Sequence, residues 1–271
     1  MQGIYSNYYE SSNLFHGSLT QVMGTQLDIL FLTNDVSNAH NIWNKVTSEV
    51  LSLHQMLNRF NPESEISVVN RGALQHPIEV SPLLFSLLND CLRYSAITLG
   101  YFDITLVDYS SVNLDISTSS IHFINPKTQL DLGGYAKGYV LEVIRNILIS
   151  SNIENAFINF GNSSVLALGT HPHGDHWPVG VLNPYKPEHV LRTFQLKNES
   201  LSSSGNSLQK EKHIINPFNQ KYNTEKKLVS VVAPNAVDAE VLTTALYVCP
   251  QEKIQSIISN FNIKEYMFET F

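Results

Sequence analysis

Charge is scarce in this sequence. Seventeen Lys and Arg face 24 Asp and Glu across 271 residues, a formal net charge of −7, and no long basic run occurs. Binding along nucleic acid or anionic lipid needs clustered Lys and Arg, so neither is expected as a partner. Cysteine is scarcer still. Cys91 and Cys249 each lie in an apolar stretch, where a free thiol behaves as a small core hydrophobe, and two residues are no disulfide scaffold. No run is long and apolar enough to span a bilayer. The opening from Met1 to His16, rich in Tyr, Ser and Asn, lacks the basic and apolar regions of a signal peptide. Low-complexity linkers and internal repeats are also missing. The expectation is a soluble, cytoplasmic protein with no integral membrane segment.

What is present is a globular composition, 43% hydrophobic and 15% charged. Met23 to Leu32 reads as a strand with a turn at Gly24. From Asn38 the pattern becomes helical, with Ile42, Val46, Val50, Leu53 and Leu57 on one face. Ser81 and Pro82 mark the start of a second helix whose buried stripe is Leu84, Leu87, Leu88, Cys91 and Leu92, with Gly100 as terminator. A small hairpin is expected between Val112 and Phe123. The glycines of Asp131 to Gly138 then read as a strand-to-helix junction. Strands follow at Ala156–Phe160, Ser164–Leu168, Trp177–Leu182, Val190–Leu196 and Leu228–Ala233, and helices at Asn235–Val248 and Gln251–Asn260.

Four groups of residues could carry chemistry. Gly133 and Gly134 at a helix opening, with Lys137 one turn in, suit a phosphorylated ligand, although glycines alone more often mark a tight turn. Glu240 and Thr244, four apart, share a helix face and offer hard oxygens to Mg²⁺; the plainer reading is a solvent-facing acid and a helical threonine. His213, near Ser202–Asn206, could take a proton from a hydroxyl, or be structural. His171, His173, Asp175 and His176 could bind a transition metal, but an exposed loop is the preferred reading.

Taken in order, these pieces resemble the ApbE family of FAD:protein FMN transferases. Met23-Gly24-Thr25, the Phe60–Glu65 stretch before Asn70, Gly100 to Thr105, the run Asp131-Leu132-Gly133-Gly134-Tyr135-Ala136-Lys137-Gly138, Trp177 to Pro184 and Thr244-Ala245-Leu246 carry the resemblance. It implies an α+β fold of antiparallel sheets flanked by helices, in two interleaved lobes with a cleft, residues 1–271 forming a single unit. It also implies FAD contacts from Met23, Phe60, Tyr101, Phe102, Asp103, Asp131, Lys137 and Ser203. Mg²⁺ would be held by Gly134, Glu240 and Thr244, and His213 would be the base. The implied activity is Mg-dependent transfer of FMN from FAD to a Thr or Ser hydroxyl of an acceptor protein, releasing AMP. The alternatives are a non-catalytic FAD-binding or interaction protein on the same scaffold, or an FAD pyrophosphate hydrolase. The sequence departs from the family pattern at Phe60, where a tyrosine is usual, at Glu240, where the family has aspartate, and at Ser163, Asn206 and Asn216, each in place of an acid.

Overall fold

A computed structural model describes residues 3–105, 107–207 and 214–271. The chain opens with β1 (Ile4–Tyr9), β2 (Leu14–Val22), β3 (Thr25–Leu32), α1 (Val36–Leu57), α2 (Glu65–Gly72), β4 (Ile78–Glu79) and α3 (Pro82–Ile97). The hairpin of β5 (Val112–Asp115) and β6 (Ser120–Phe123) leads to α4 (Ala136–Ser150). Next come β7 (Ala156–Phe160), β8 (Ser164–Leu168), β9 (Trp177–Asn183), β10 (Lys186–Leu196) and β11 (Glu199–Gly205). The chain closes with β12 (Ile215–Asn216), β13 (Lys221–Tyr222), β14 (Lys227–Ala233), α5 (Ala236–Val248), α6 (Gln251–Ile258) and β15 (Glu265–Thr270).

Eight strands make one antiparallel sheet in the order β1-β2-β3-β7-β8-β11-β14-β15. Because side chains alternate across a strand, β8 serves two cores. Leu166 and Leu168 pack with α1 and α4, whereas Val165 and Ala167 pack under the β9–β10 ribbon with Trp177, Phe194 and Leu196. The fold is thus α+β, with helices on one face of the antiparallel sheet and a β-ribbon on the other. A further core joins α2, α3 and the β4–β6–β5 sheet to one side of α5.

Local sequence explains the helices. Asp35 caps α1 through Asn38 N–H at 2.9 Å, and Ile42, Trp43, Val46, Val50 and Leu53 are buried on its inner stripe. Each such aliphatic side chain, fully buried, contributes roughly 1.5–3 kcal/mol over an exposed one. Ser81 Oγ accepts from Leu84 N–H at 3.2 Å and Pro82 occupies the first turn of α3, which ends where Gly100 takes φ +80° and donates to Ser95 O at 2.8 Å. Leu92 is a correction: it is 41% exposed, because the stripe formed by Leu84, Leu88 and Cys91 turns it outward. Met23 and Gly24 are the turn between β2 and β3, both at positive φ, so the strand begins at Thr25 rather than Met23.

Helix α5 is buried on nearly every side, as expected of a helix apolar all round. Its residues contribute to the core under α1 and α4, to that around α3, and to that beneath α6. α4 crosses it closely at Gly138, where a Cβ would lie 2.7 Å from Ala236 O and 2.9 Å from both Glu240 Cβ and Val237 Cα. That approach brings Lys137 beside Glu240.

Candidate active site

A cavity of about 420 Å³ opens where the start of α4, the inner face of α5, β11 and the β12–β13 hairpin meet. The residues entering α4 reach it as a loop, not as the strand the sequence suggested. Gln129 N–H donates to Thr105 O at 3.2 Å and Asp131 N–H to Ile104 O at 2.8 Å. The partner segment then bends away, since Asp103 folds its own loop: Oδ1 accepts from Thr105 N–H and Oγ–H, both at 2.7 Å, and Oδ2 from Tyr109 N–H at 2.9 Å. Burial pushes the Asp103 carboxyl up from its usual range, against the opposing effect of these donors.

Of the residues singled out from sequence, Phe102, Asp103, Asp131, Gly134, Lys137, Ser203, Glu240 and Thr244 line this cavity together. Tyr135 caps α4 without a side-chain hydrogen bond, its N–H and that of Ala136 both donating to Leu132 O at 2.9 Å, and Gly133, Gly134 and first-turn Lys137 line the cavity at this positive end of the helix dipole. Asp131 Oδ1 accepts from Gly133 N–H at 2.9 Å, and its Oδ2 pairs with Arg59 Nε at 3.0 Å. Ser203 Oγ is hydrogen-bonded to Ser230 Oγ on the neighbouring strand at 2.8 Å.

The structure places three expected flavin contacts outside the lining. Met23 packs between two cores, its N–H donating to His54 Nδ1 at 3.1 Å. Phe60 is 81% exposed beneath the Arg59 guanidinium, and Tyr101 packs on the Phe218 ring at 4.7 Å. His213 lies outside the described residues.

Glu240 is not the solvent-facing acid of the plainer reading; it is 5% exposed. Lys137 Nζ forms an ion pair with Oε1, while Oε2 accepts from Ser164 Oγ at 2.5 Å and Ser202 Oγ at 2.8 Å. Taking a carboxylate out of water requires such partners. Thr244 stands one turn on, its hydroxyl donating to Glu240 O at 3.3 Å. Gly134 backs onto it, since a Cβ there would lie 3.2 Å from Thr244 Oγ1. The Gly134 carbonyl, Glu240 carboxylate and Thr244 hydroxyl are all hard oxygen donors on adjacent elements, a set that fits Mg²⁺ completed by water and phosphate. Among the described residues no group of three or more His, Cys, Asp or Glu could hold a metal ion.

Sequence reasoning missed Arg59, Ser164 and Tyr222, and named Ser202 only as part of the segment Ser202–Asn206, without its contact to Glu240. The signal for Ser164 was a hydroxyl on the helix-facing side of a strand whose other residues there, Leu166 and Leu168, are apolar. The loop at His171 has gathered no site: His171 stacks edge-on against Trp177 at 5.0 Å, and His173, Asp175 and His176 are exposed. Cys91 and Cys249 are buried free thiols, as expected. No helix of the described residues is long and apolar enough to cross a membrane.

Comparison with known proteins gives the family and the fold. The profile of the ApbE family matches residues 23–110 and 105–268. An FAD:protein FMN transferase of Chlamydia muridarum is 27% identical over 233 residues, covering 72% of this chain and 71% of the relative. Another, of Klebsiella pneumoniae, is 23% identical over 280 residues, covering 90% and 85%. Among solved structures, an ApbE protein of Thermotoga maritima superposes with a TM-score of 0.81 at 19% identity, covering 100% of this chain and 97% of that one. The flavin transferase ApbE of Vibrio cholerae gives 0.79 at 16% identity, covering 98% and 97%; identities this low speak for the fold alone.

Proposed function

The chain belongs to the ApbE family, and from that premise we propose that it is an FAD:protein FMN transferase: it moves FMN from FAD to a Thr or Ser hydroxyl of an acceptor protein and releases AMP, with Mg²⁺ bound. The observation that carries this reading is the convergence of Asp131, Gly134 and Lys137 with Glu240 and Thr244, about a hundred residues later, on one cavity. The relatives' names supply the reaction class.

In this reading the N-terminal end of α4 and Lys137 bind the pyrophosphate, the helix through the positive end of its dipole and the lysine as a point charge. Gly134 O, Glu240 and Thr244 would hold Mg²⁺, which when bound would offset the charge of the substrate phosphates. The acceptor oxygen forms a bond to the FMN phosphorus as the bond from that phosphorus to the AMP oxygen breaks. The hydroxyl proton passes to a base, the role the family resemblance gives to His213, and AMP leaves as the phosphate. Phe102, nearly buried, and Ile104 form the apolar part of the wall and exclude water from it. The test is incubation with FAD, Mg²⁺ and candidate acceptors, followed by mass spectrometry. An acceptor heavier by one FMN phosphoryl unit, with stoichiometric AMP, is expected; unchanged FAD would overturn the assignment.

A second reading, a flavin-binding protein without transfer, draws on Asn206. Its amide donates to Asn223 O at 2.9 Å and Glu225 O at 3.2 Å, so this family acid position serves as a structural clasp. Bound but intact FAD in the same experiment would favour it. Release of FMN and AMP without acceptor would instead favour hydrolysis.

A further inference from the structure

The Glu240 carboxylate is held unequally at its two oxygens, and this asymmetry has a functional sense. Ser164 and Ser202 are directly opposed on the antiparallel strands β8 and β11. They are 1% and 2% exposed, and both hydroxyls converge on Oε2. The Ser202 hydroxyl also lies 3.5 Å from Thr243 Oγ1, which donates to the Glu240 carbonyl at 2.9 Å and accepts from Ser204 at 2.9 Å. Oε2 is therefore fixed by a hydroxyl pair on two rigid strands, tied back to the same helix. Oε1 has only Lys137, a flexible side chain that itself lines the cavity.

Building on the proposed function, we infer that Ser164 and Ser202 are positioning residues that select Oε1 as the ligating oxygen of Glu240, and that the Lys137 ammonium occupies its place until a divalent cation takes it. A carboxylate oxygen facing a cation and an ammonium within one ion-pair distance of each other would set two positive charges side by side in a poorly solvated wall. Cation binding and the Lys137–Glu240 pair therefore compete. The displaced ammonium, one turn into α4, is then free for the substrate phosphates. The extra methylene of Glu240 makes the serine pair necessary, because a longer side chain has one more torsion to fix.

The inference gives Lys137 opposite effects on two ligands. Mn²⁺ is the probe, titrated by electron paramagnetic resonance into flavin-free protein, with FAD binding followed separately by calorimetry in the presence of the metal. Lys137→Met should bind Mn²⁺ tighter by about tenfold without FAD, since Glu240 loses its competing cation, yet bind FAD more weakly. Ser164→Ala with Ser202→Ala should weaken Mn²⁺ binding by about tenfold or more, the usual size of an outer-shell loss at a metal site. Ser202→Thr, which keeps the hydroxyl, should bind Mn²⁺ nearly as tightly as the wild type, where Ser202→Ala does not. Unchanged or weaker Mn²⁺ binding in Lys137→Met would overturn the exchange, and serine variants with wild-type affinity would overturn the positioning role. Either result leaves FMN transfer standing if the wild-type protein still modifies an acceptor. Wild-type protein that binds neither Mn²⁺ nor FAD removes both.

Discussion

The molecule offers two groups of candidate ligands, and they contrast sharply. His171, His173, Asp175 and His176 are crowded into six positions of sequence, yet they lie on a largely exposed loop and form no metal-holding group among the described residues. Gly134 and Lys137, at the entry to α4, and Glu240 and Thr244, on α5, lie about a hundred residues apart, yet they share one cavity wall. Sequence proximity put the histidines on a loop where only His171 packs, against Trp177, among the described residues. The second group is assembled by tertiary contact, because Gly138 lets α4 lie against α5 and buried neighbours then dictate where Lys137 and Glu240 point. Spacing along the chain is a weak guide to a site; a close helix crossing with polar groups inside it is a stronger one.

The contrast is broken most directly by removing Glu240. Glu240→Ala should lower metal-dependent FMN transfer by on the order of 100-fold or more, since losing even an outer-shell partner typically costs 10–100-fold. Glu240→Asp, which keeps a carboxylate on the same helix face, should retain transfer within about tenfold. Replacing His171, His173 and His176 together by alanine should leave it unchanged. Covalent flavin fluorescence on the acceptor after denaturing electrophoresis reads all three. Loss of transfer in the histidine variant with retention in Glu240→Ala would reverse the assignment and make the loop the metal site.

The helix crossing can be probed separately from chemistry with a matched pair of glycines. Gly138→Ala forces a Cβ against backbone atoms at 2.7 and 2.9 Å, an overpacking that costs about 1–3 kcal/mol and lowers the melting temperature by several degrees. Gly174→Ala, in the histidine loop, meets nothing nearer than 3.9 Å, so its effect should stay within about 0.5 kcal/mol. Equal melting shifts would show that the crossing is loose enough to adjust.

Much of this was legible in sequence, for identifiable reasons. The α1 stripe, the Ser81–Pro82 start of α3 and the strand Ser164–Leu168 were readable because periodicity and caps act locally. The antiparallel sheet flanked by helices followed from the family resemblance, which also named Phe102, Asp103, Asp131, Gly134, Lys137, Ser203, Glu240 and Thr244 of the cavity lining, but placed Met23, Phe60 and Tyr101 there too. The strands β1, β11 and β15 were not read: serine, asparagine and tyrosine carry little alternation, and their pairing is fixed by neighbouring strands rather than by their own pattern. The burial of Glu240 was illegible too. Four-residue spacing places it beside Thr244 on α5, but says nothing of which side of that helix faces solvent when the whole helix is apolar.

A smaller effect separates Lys137 from His171. Lys137→Ala should weaken FAD binding by about tenfold, the loss of roughly 1.4 kcal/mol for one phosphate-facing charge. His171→Ala, whose ring rests on Trp177, should not change it. Isothermal titration in Mg²⁺ buffer gives both constants. Equal affinities for Lys137→Ala and wild type would detach the α4 terminus from the pyrophosphate.

The smallest effect belongs to a histidine of neither group. His54 Nδ1 accepts from Met23 N–H at 3.1 Å, pinning the β2–β3 turn to α1. A proton on Nδ1 would face that N–H, and burial holds the His54 pKa below its ordinary value of 6.5. The unfolded chain therefore binds the proton more readily than the folded one. The contribution of neutral His54 is fully present above about pH 6.5 and is lost as pH falls through the lower folded-state value. Urea midpoints should accordingly decline from about pH 7 to about pH 5. His54→Gln offers Met23 an uncharged acceptor that does not titrate, so it should flatten that decline while leaving the midpoint near neutrality close to wild type. A slope unchanged by His54→Gln would mean that the turn at Met23 is held by packing between the two cores, with the imidazole a bystander.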